Sequence, residues 1–209
     1  MKPATKLIPW GKSLYAWSSM HDQWKVDFHS YALKTRQGVV FIDPMKPAPS
    51  VAAKLDALGH PVGVFLTNAH HDRDADWFRK RYEIQIYAHE KARPDCDTKI
   101  DVLVMDGENL PGGVKVIHLP GVSSSETAFY SKLDGGIVLI GDSLLHESSD
   151  GLTLLPGQYC EDRAQAWSSL QKLLALKFEI VTFAHGEPLV IDAQKQINLF
   201  LKKRSRSTA

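Results

Sequence analysis

The sequence predicts a mixed α/β (α+β) protein, a sheet-on-sheet sandwich with helices on its outer faces. Three observations carry that expectation. Apolar runs of strand length recur in both halves of the chain, stretches with helical spacing lie between and after them, and several runs end on a small or charged residue, as strands sharing one edge would.

The opening reads as meandering antiparallel strands over residues 14–17, 26–33 and 39–42. Pro44, Pro47 and Pro49 then break the sheet, and residues 51–58 have helical spacing with Gly59 as a stop. A strand is expected at 62–66 and a helix at 75–82. Further strands are expected at 84–87, 102–104, 114–117, 128–130 and 137–140. A helix over about 163–176 and another over about 193–202 flank one last strand at 180–183. No low-complexity stretch or linker divides the chain, and 209 residues suit one well-buried domain better than two. A single domain over 1–209 is expected, with residues 203–209 as a frayed tail.

Charge and composition exclude some partners. The formal net charge is +1, and basic residues are scattered except in Lys202-Lys203-Arg204-Ser205-Arg206, so no nucleic-acid footprint is expected. The N-terminal residues lack a sustained apolar core, and no stretch approaches the roughly 18 apolar residues of a membrane span. A soluble, cytoplasmic protein with no membrane partner is the expectation. Cys96 and Cys160 lie far apart in polar contexts and are expected as free thiols.

The most informative stretch is Thr67-Asn68-Ala69-His70-His71-Asp72-Arg73-Asp74, which follows the apolar run Val62-Gly63-Val64-Phe65-Leu66. It packs imidazoles and carboxylates into a turn after a buried strand, where side chains can converge on a metal or a substrate. Ile42-Asp43-Pro44, Leu119-Pro120-Gly121-Val122, Ile140-Gly141-Asp142-Ser143 and Phe183-Ala184-His185-Gly186 likewise place a small or charged residue beyond an apolar run. In order and character these five points resemble the motifs of the metallo-β-lactamase superfamily, whose metal signature reads T-H-x-H-x-D-H. The resemblance extends from Ser13 to Leu201.

It implies an αββα four-layer sandwich whose ligands come from loops at one rim and hold two metal ions, usually zinc. Carried over position by position, the first metal would take His at 68, 70 and 122. The second would take Asp72, His at 73 and His185, with Asp142 bridging. This chain has Asn68, Arg73 and Val122 at three of those positions. Valine has no donor atom, a neutral amide oxygen is a weak zinc ligand, and a guanidinium cannot be deprotonated to ligate. His70, Asp72, Asp142 and His185 remain as ligands for at most one divalent ion, zinc, iron or manganese, with Asp72 and His70 as the catalytic pair. Arg73 is expected to point into the vacated second position and pair with Asp142, Asp72 or both, replacing the missing charge.

Other residues have plainer roles. Asp43 is, by the resemblance, a carboxylate that steadies the His/Asp loop, and His71 falls on a spacer position facing the surface or supporting the ligands. His29 and His118 lie inside strands and are expected to pack or hydrogen-bond there, and His89, at the entry to a short helix, to cap it or lie exposed. Residues 146–160 lack periodicity and follow Asp142, so they are expected to lie across the rim as a lid, with Tyr159 and Arg163 as pocket residues and Trp77 as a further contact. No G-x-S-x-G pattern supports a serine hydrolase. Two functions follow. The first is a metal-free or metal-weak member of the fold binding a small molecule at the rim; the second is a hydrolase with a rearranged single-metal site, acting on a small ester, thioester or amide.

Overall fold

The computed structural model describes residues 2–22, 26–147 and 151–205. The first sheet takes its strands in chain order, β1 (Ile8–Pro9), β2 (Leu14–His21), β3 (Val26–Thr35), β4 (Gly38–Ile42), β5 (Pro61–Phe65), β6 (Ile86–His89) and β7 (Val102–Val104). The strands up to β4 pair antiparallel as meanders, and β4 through β7 pair in parallel. The second sheet is built from β8 (Asn109–Leu110), β9 (Val114–His118), β10 (Thr127–Ser131), β11 (Ile137–Leu139) and, after a separate hairpin of β12 (Leu145–Glu147) and β13 (Gly151–Thr153), β14 (Ile180–Thr182). Its order is β14-β11-β10-β9-β8, with β11 and β14 parallel.

The helices form the outer layers. Helices α1 (Pro49–Asp56) and α2 (Ala75–Tyr82) cover the first sheet, and α3 (Arg163–Leu170) and α4 (Ala193–Ser205) cover the second. Strand pleating assigns each side chain to a layer. On β2 and β4, Trp17 and Phe41 face α1 and α2 with Val51, Leu55 and Phe78, whereas Ala16, Val40 and Ile42 face inward. On the second sheet, Phe129 and Leu139 meet Phe65 and Ile42 between the sheets, while Ala128 and Val138 pack outward on Leu170, Ile197 and Leu201. The result is an αββα sandwich, as expected.

Three details differ from the sequence reading. The expected helix over 163–176 is α-helical only to Leu170, and residues 171–175 continue as a 3-10 turn. Ser168 and Ser169 donate their hydroxyls to the carbonyls of Gln165 and Ala166, a local pairing that competes with regular α-helical bonding at this end. Strand β2 extends to His21, because β3 pairs with it residue for residue from Leu14↔Leu33 to His21↔Val26. The 146–160 stretch, expected as an irregular lid, contains the β12–β13 hairpin and a 3-10 turn, with residues 148–150 outside the described part.

Candidate metal centre

The site sits where the parallel strands end. Strands β4, β5, β11 and β14 deliver Asp43, Thr67 and Asn68, Asp142, and His185 just past their C-terminal ends, where side chains are free of the sheet. The antiparallel strand β10 starts at the same rim, so Glu126 precedes its first residue there.

Asp43 organises the loop after β5. It is buried, with its Oδ1 accepting the Thr67 backbone N–H at 2.8 Å and its Oδ2 accepting the Thr67 hydroxyl at 2.6 Å. The same Oδ2 lies 3.0 Å from His71 Nδ1. Asn68 then caps a 3-10 turn over Ala69–His71, its Oδ1 accepting the His70 backbone N–H at 2.9 Å. With three residues per turn, successive side chains point about 120° apart. Ala69 packs into the core under α2, His71 is turned inward and buried, and His70 is exposed.

His71 therefore reaches the site. The Thr67 hydroxyl proton is committed to Asp43, so its oxygen can only accept; the His71 Nδ1 proton faces Thr67 Oγ1 at 2.8 Å and Asp43 Oδ2 at 3.0 Å, and Nε2 faces Asp142 Oδ2 at 3.4 Å. His185 mirrors it: Nδ1 donates to the Asp27 carbonyl at 3.1 Å and Nε2 lies 3.3 Å from Asp142 Oδ1. Ligand atoms of His71, Asp142 and His185 all lie within 4.8 Å of one another.

Electrostatics at this cluster follow from its burial. Desolvation disfavours charge on His71, but the Asp142 carboxylate with help from Asp43 outweighs it and holds the ring's pKa up to about 10. Burial likewise opposes charge on Asp142, and His71 and His185 overcome it, keeping its carboxyl well below the usual range. Glu126 is fully buried beside this pair, and desolvation together with the Asp142 charge pushes its carboxyl upward. Its Oε1 accepts the Ser143 N–H at 3.1 Å, and its Oε2 accepts Asn68 Nδ2–H at 3.0 Å.

Of the expected ligands, Asp142 and His185 come together and His70 and Asp72 do not join them. Asp72 turns away, its Oδ2 accepting the Thr98 N–H at 2.9 Å with Cys96 Sγ 3.7 Å away. His71, expected on a spacer position, takes the place beside Asp142. Arg73 makes neither expected ion pair. Its Nη1 donates to the carbonyls of His29 at 2.6 Å and Asp43 at 3.0 Å, and its guanidinium carbon lies 5.1 Å from the Phe28 ring centre. Val122 is buried, and its carbonyl accepts the Glu161 N–H at 3.0 Å, so this loop keeps its backbone without a ligand. Tyr159 is 63 % exposed and Arg163 is exposed on the first turn of α3, neither bonded to the cluster. Trp77 lies on α2 between Lys46 and Arg81, away from the site. His89 caps a turn through the Lys91 N–H and stacks on His118 at 3.9 Å. Glu126 and the Asp27 carbonyl are absent from the sequence reading, which names Thr67 but gives it no role. The one available signal was a glutamate before a buried strand, opposite Gly141.

These residues fit one divalent ion. Metal–ligand bonds of about 2.0 Å at tetrahedral angles place donor atoms roughly 3.3 Å apart, and Asp142 offers one oxygen at about that separation to each ring, Oδ2 to His71 Nε2 at 3.4 Å and Oδ1 to His185 Nε2 at 3.3 Å. Asp142 Oδ1 is buried without a hydrogen-bond donor, as a ligand oxygen would be. Both rings have Nδ1 tied to an oxygen, the support that ligating histidines use to present Nε2. The residues do not fit a second ion at the position implied for 68, 70 and 122. The Asn68 amide nitrogen, a donor, lies there 3.4 Å from Asp142 Oδ2, its orientation fixed because Oδ1 caps the turn.

Comparison with known proteins agrees with this architecture. No curated protein matches the chain. Among solved structures, TTHA1623 in a di-iron-bound form is 25% identical, covering 88% of this chain and 98% of its own, with a TM-score of 0.67. The BLEG-1 B3 metallo-β-lactamase is 23% identical, covering 89% and 99%, with a TM-score of 0.68. TMB-1 is 16% identical, covering 98% and 100%, with a TM-score of 0.77. The profile described as "Metallo-beta-lactamase superfamily" matches residues 10–201, nearly the whole sandwich. With its αββα layers and its polar loops gathered at one rim, the chain belongs to the metallo-β-lactamase superfamily.

Proposed function

We propose that this protein is a hydrolase that works with one divalent metal ion, held by His71 Nε2, Asp142 and His185 Nε2, on a small ester, thioester or amide. The observation that carries the reading is the convergence of those three ligand atoms within 4.8 Å. Three protein ligands leave a coordination position open, the arrangement of catalytic rather than structural sites. An ion bound there supplies Lewis acidity toward a carbonyl oxygen and makes water a stronger acid. The chain's own residues prepare the place. Asp43 and the Asp27 carbonyl orient the two rings, Asn68 donates to Asp142 Oδ2, and Arg73, locked on two carbonyls, adds a fixed positive charge near the carboxylates.

Metal analysis after equilibration with zinc, iron or manganese is expected to give about one ion per chain. His71→Ala should lose it and His70→Ala should keep it. Metal-loaded protein should then hydrolyse members of a chromogenic ester, thioester and amide panel, and chelated protein should not. Two ions per chain, or full metal binding by His71→Ala, would refute the assignment.

One observation favours a second reading, a metal-free module binding a small molecule at the rim. His71 is buried between Asp43 Oδ2 at 3.0 Å and Asp142 Oδ2 at 3.4 Å, whose charges favour its protonated form, so under this reading a charged ring compensates the carboxylates in place of a metal. Under that reading the parent protein takes up none of the three metals at micromolar concentration.

A further inference from the structure

Glu126 is a buried acid that the proposed chemistry does not use, and every polar bond it makes from its side chain leads to the metal-binding rim. Oε1 accepts both the backbone N–H of Ser143 at 3.1 Å and its hydroxyl at 3.3 Å, gripping the residue that follows Asp142. Oε2 accepts Asn68 Nδ2–H at 3.0 Å, and the same amide nitrogen lies 3.4 Å from Asp142 Oδ2. The glutamate thus joins the loops after β5 and β11 to its own loop before β10. The backbone reinforces that junction, since the Thr127 N–H donates to the Thr67 carbonyl at 2.7 Å. Space is made for the carboxylate: a Cβ on Gly141 would lie 2.7 Å from Glu126 Oε1 and 2.6 Å from Thr67 Oγ1.

We infer that Glu126 is a positioning residue for Asp142, which with Asn68 cross-links three loops through hydrogen bonds and aims the Asp142 carboxylate at its metal. The inference rests on the reading that Asp142 holds an ion. Its physical basis is the polarity of the network. Asn68 Oδ1 is committed to the His70 N–H, so the amide can only donate toward residue 126. The Glu126 carboxyl answers with an oxygen acceptor at each end, which an amide cannot do. Glu126→Gln keeps the shape but sets one amide NH2 against another or against the Ser143 donors, so one bond of the network must break. Groups that orient a ligand in this way typically control about ten- to a hundredfold in metal affinity.

The test compares parent and Glu126→Gln by zinc titration against a chromophoric chelator and by the visible absorption of the cobalt(II)-loaded proteins. The expected result is a zinc affinity at least about tenfold lower, a shifted cobalt band and a thermal midpoint of the metal-free protein within a few degrees of the parent. The cobalt band reports ligand geometry, which a merely structural glutamate would leave alone. If the parent binds metal and Glu126→Gln matches it in affinity and spectrum, the positioning role is overturned while the metal site stands. If the parent binds neither zinc nor cobalt, the metal reading fails and this inference with it. Should Glu126→Gln not fold, Glu126→Asp, whose shorter side chain cannot reach both Ser143 and Asn68, carries the same comparison; an unchanged cobalt band there overturns the role.

Discussion

Arg73 adopts the left-handed region with φ 40°, uncommon for a residue with a side chain, and two backbone carbonyls hold its guanidinium in place. Those carbonyls, of His29 and Asp43, belong to β3 and to the loop after β4, so the arginine is a cross-brace between strands of the first sheet. Removing it takes the donor from the His29 carbonyl, while the Asp43 carbonyl keeps the Ser30 hydroxyl at 2.7 Å, and a buried acceptor left unpaired costs roughly 1–3 kcal/mol. Arg73→Ala is therefore expected to unfold at lower urea, with a loss of about 2 kcal/mol; an unchanged midpoint would show that water replaces both bonds. The same turn shows where sequence spacing runs out. Asp142 and His185 were legible because each stands alone past an apolar run. His70 and His71 are neighbours, and only the 3-10 geometry of Ala69–His71, set by the Asn68 cap and the buried Ala69, turns the second inward and the first to solvent. Asp72 had a competing demand invisible in the sequence, the N–H of Thr98, 26 residues on.

At the scale of elements, the rim is a set of loops pinned to one another. The loop carrying His185 is held by β12, with the His146 N–H donating to the His185 carbonyl and His146 Nδ1 facing the Glu187 carbonyl at 2.8 Å. Gly186 makes this approach possible. Its φ is +91°, and a Cβ there would overlap the His146 backbone carbonyl at 1.8 Å. Gly186→Ala is expected to push β12 off the His185 loop, destabilising the fold by about 2 kcal/mol or more and weakening metal binding as His185 loses its backbone support. Retention of parent stability and metal affinity would show that β12 moves freely. This hairpin was not legible in the sequence, because its strands are short and their pairing is decided by contact with the Gly186 turn rather than by periodicity.

At the scale of the whole molecule, the sandwich was legible because three apolar layers stamp alternation onto the strands: Trp17 and Phe41 outward, Ala16, Val40 and Ile42 inward. The layers also bury titratable groups near the rim. His29 joins the sheets through its backbone N–H to the Ala184 carbonyl, and burial, with smaller effects from His185 and Arg73 against the opposing pull of Asp27, lowers its ring to about 4. The unfolded chain takes up a proton near the ordinary value of about 6.5 that the folded ring refuses, so stability is full above that pH and declines as pH falls toward 4. Between pH 7.5 and 5 this histidine should remove about 2 kcal/mol, and His29→Leu should show a correspondingly flatter decline in urea unfolding; parallel pH profiles would contradict the burial effect. The central claim, one metal ion on His71, Asp142 and His185, is tested most directly by anomalous diffraction at the zinc edge from crystals grown with zinc. A single peak within about 2.2 Å of both Nε2 atoms and an Asp142 oxygen is the expected result. Two peaks, or one peak on His70 and Asp72, would contradict it.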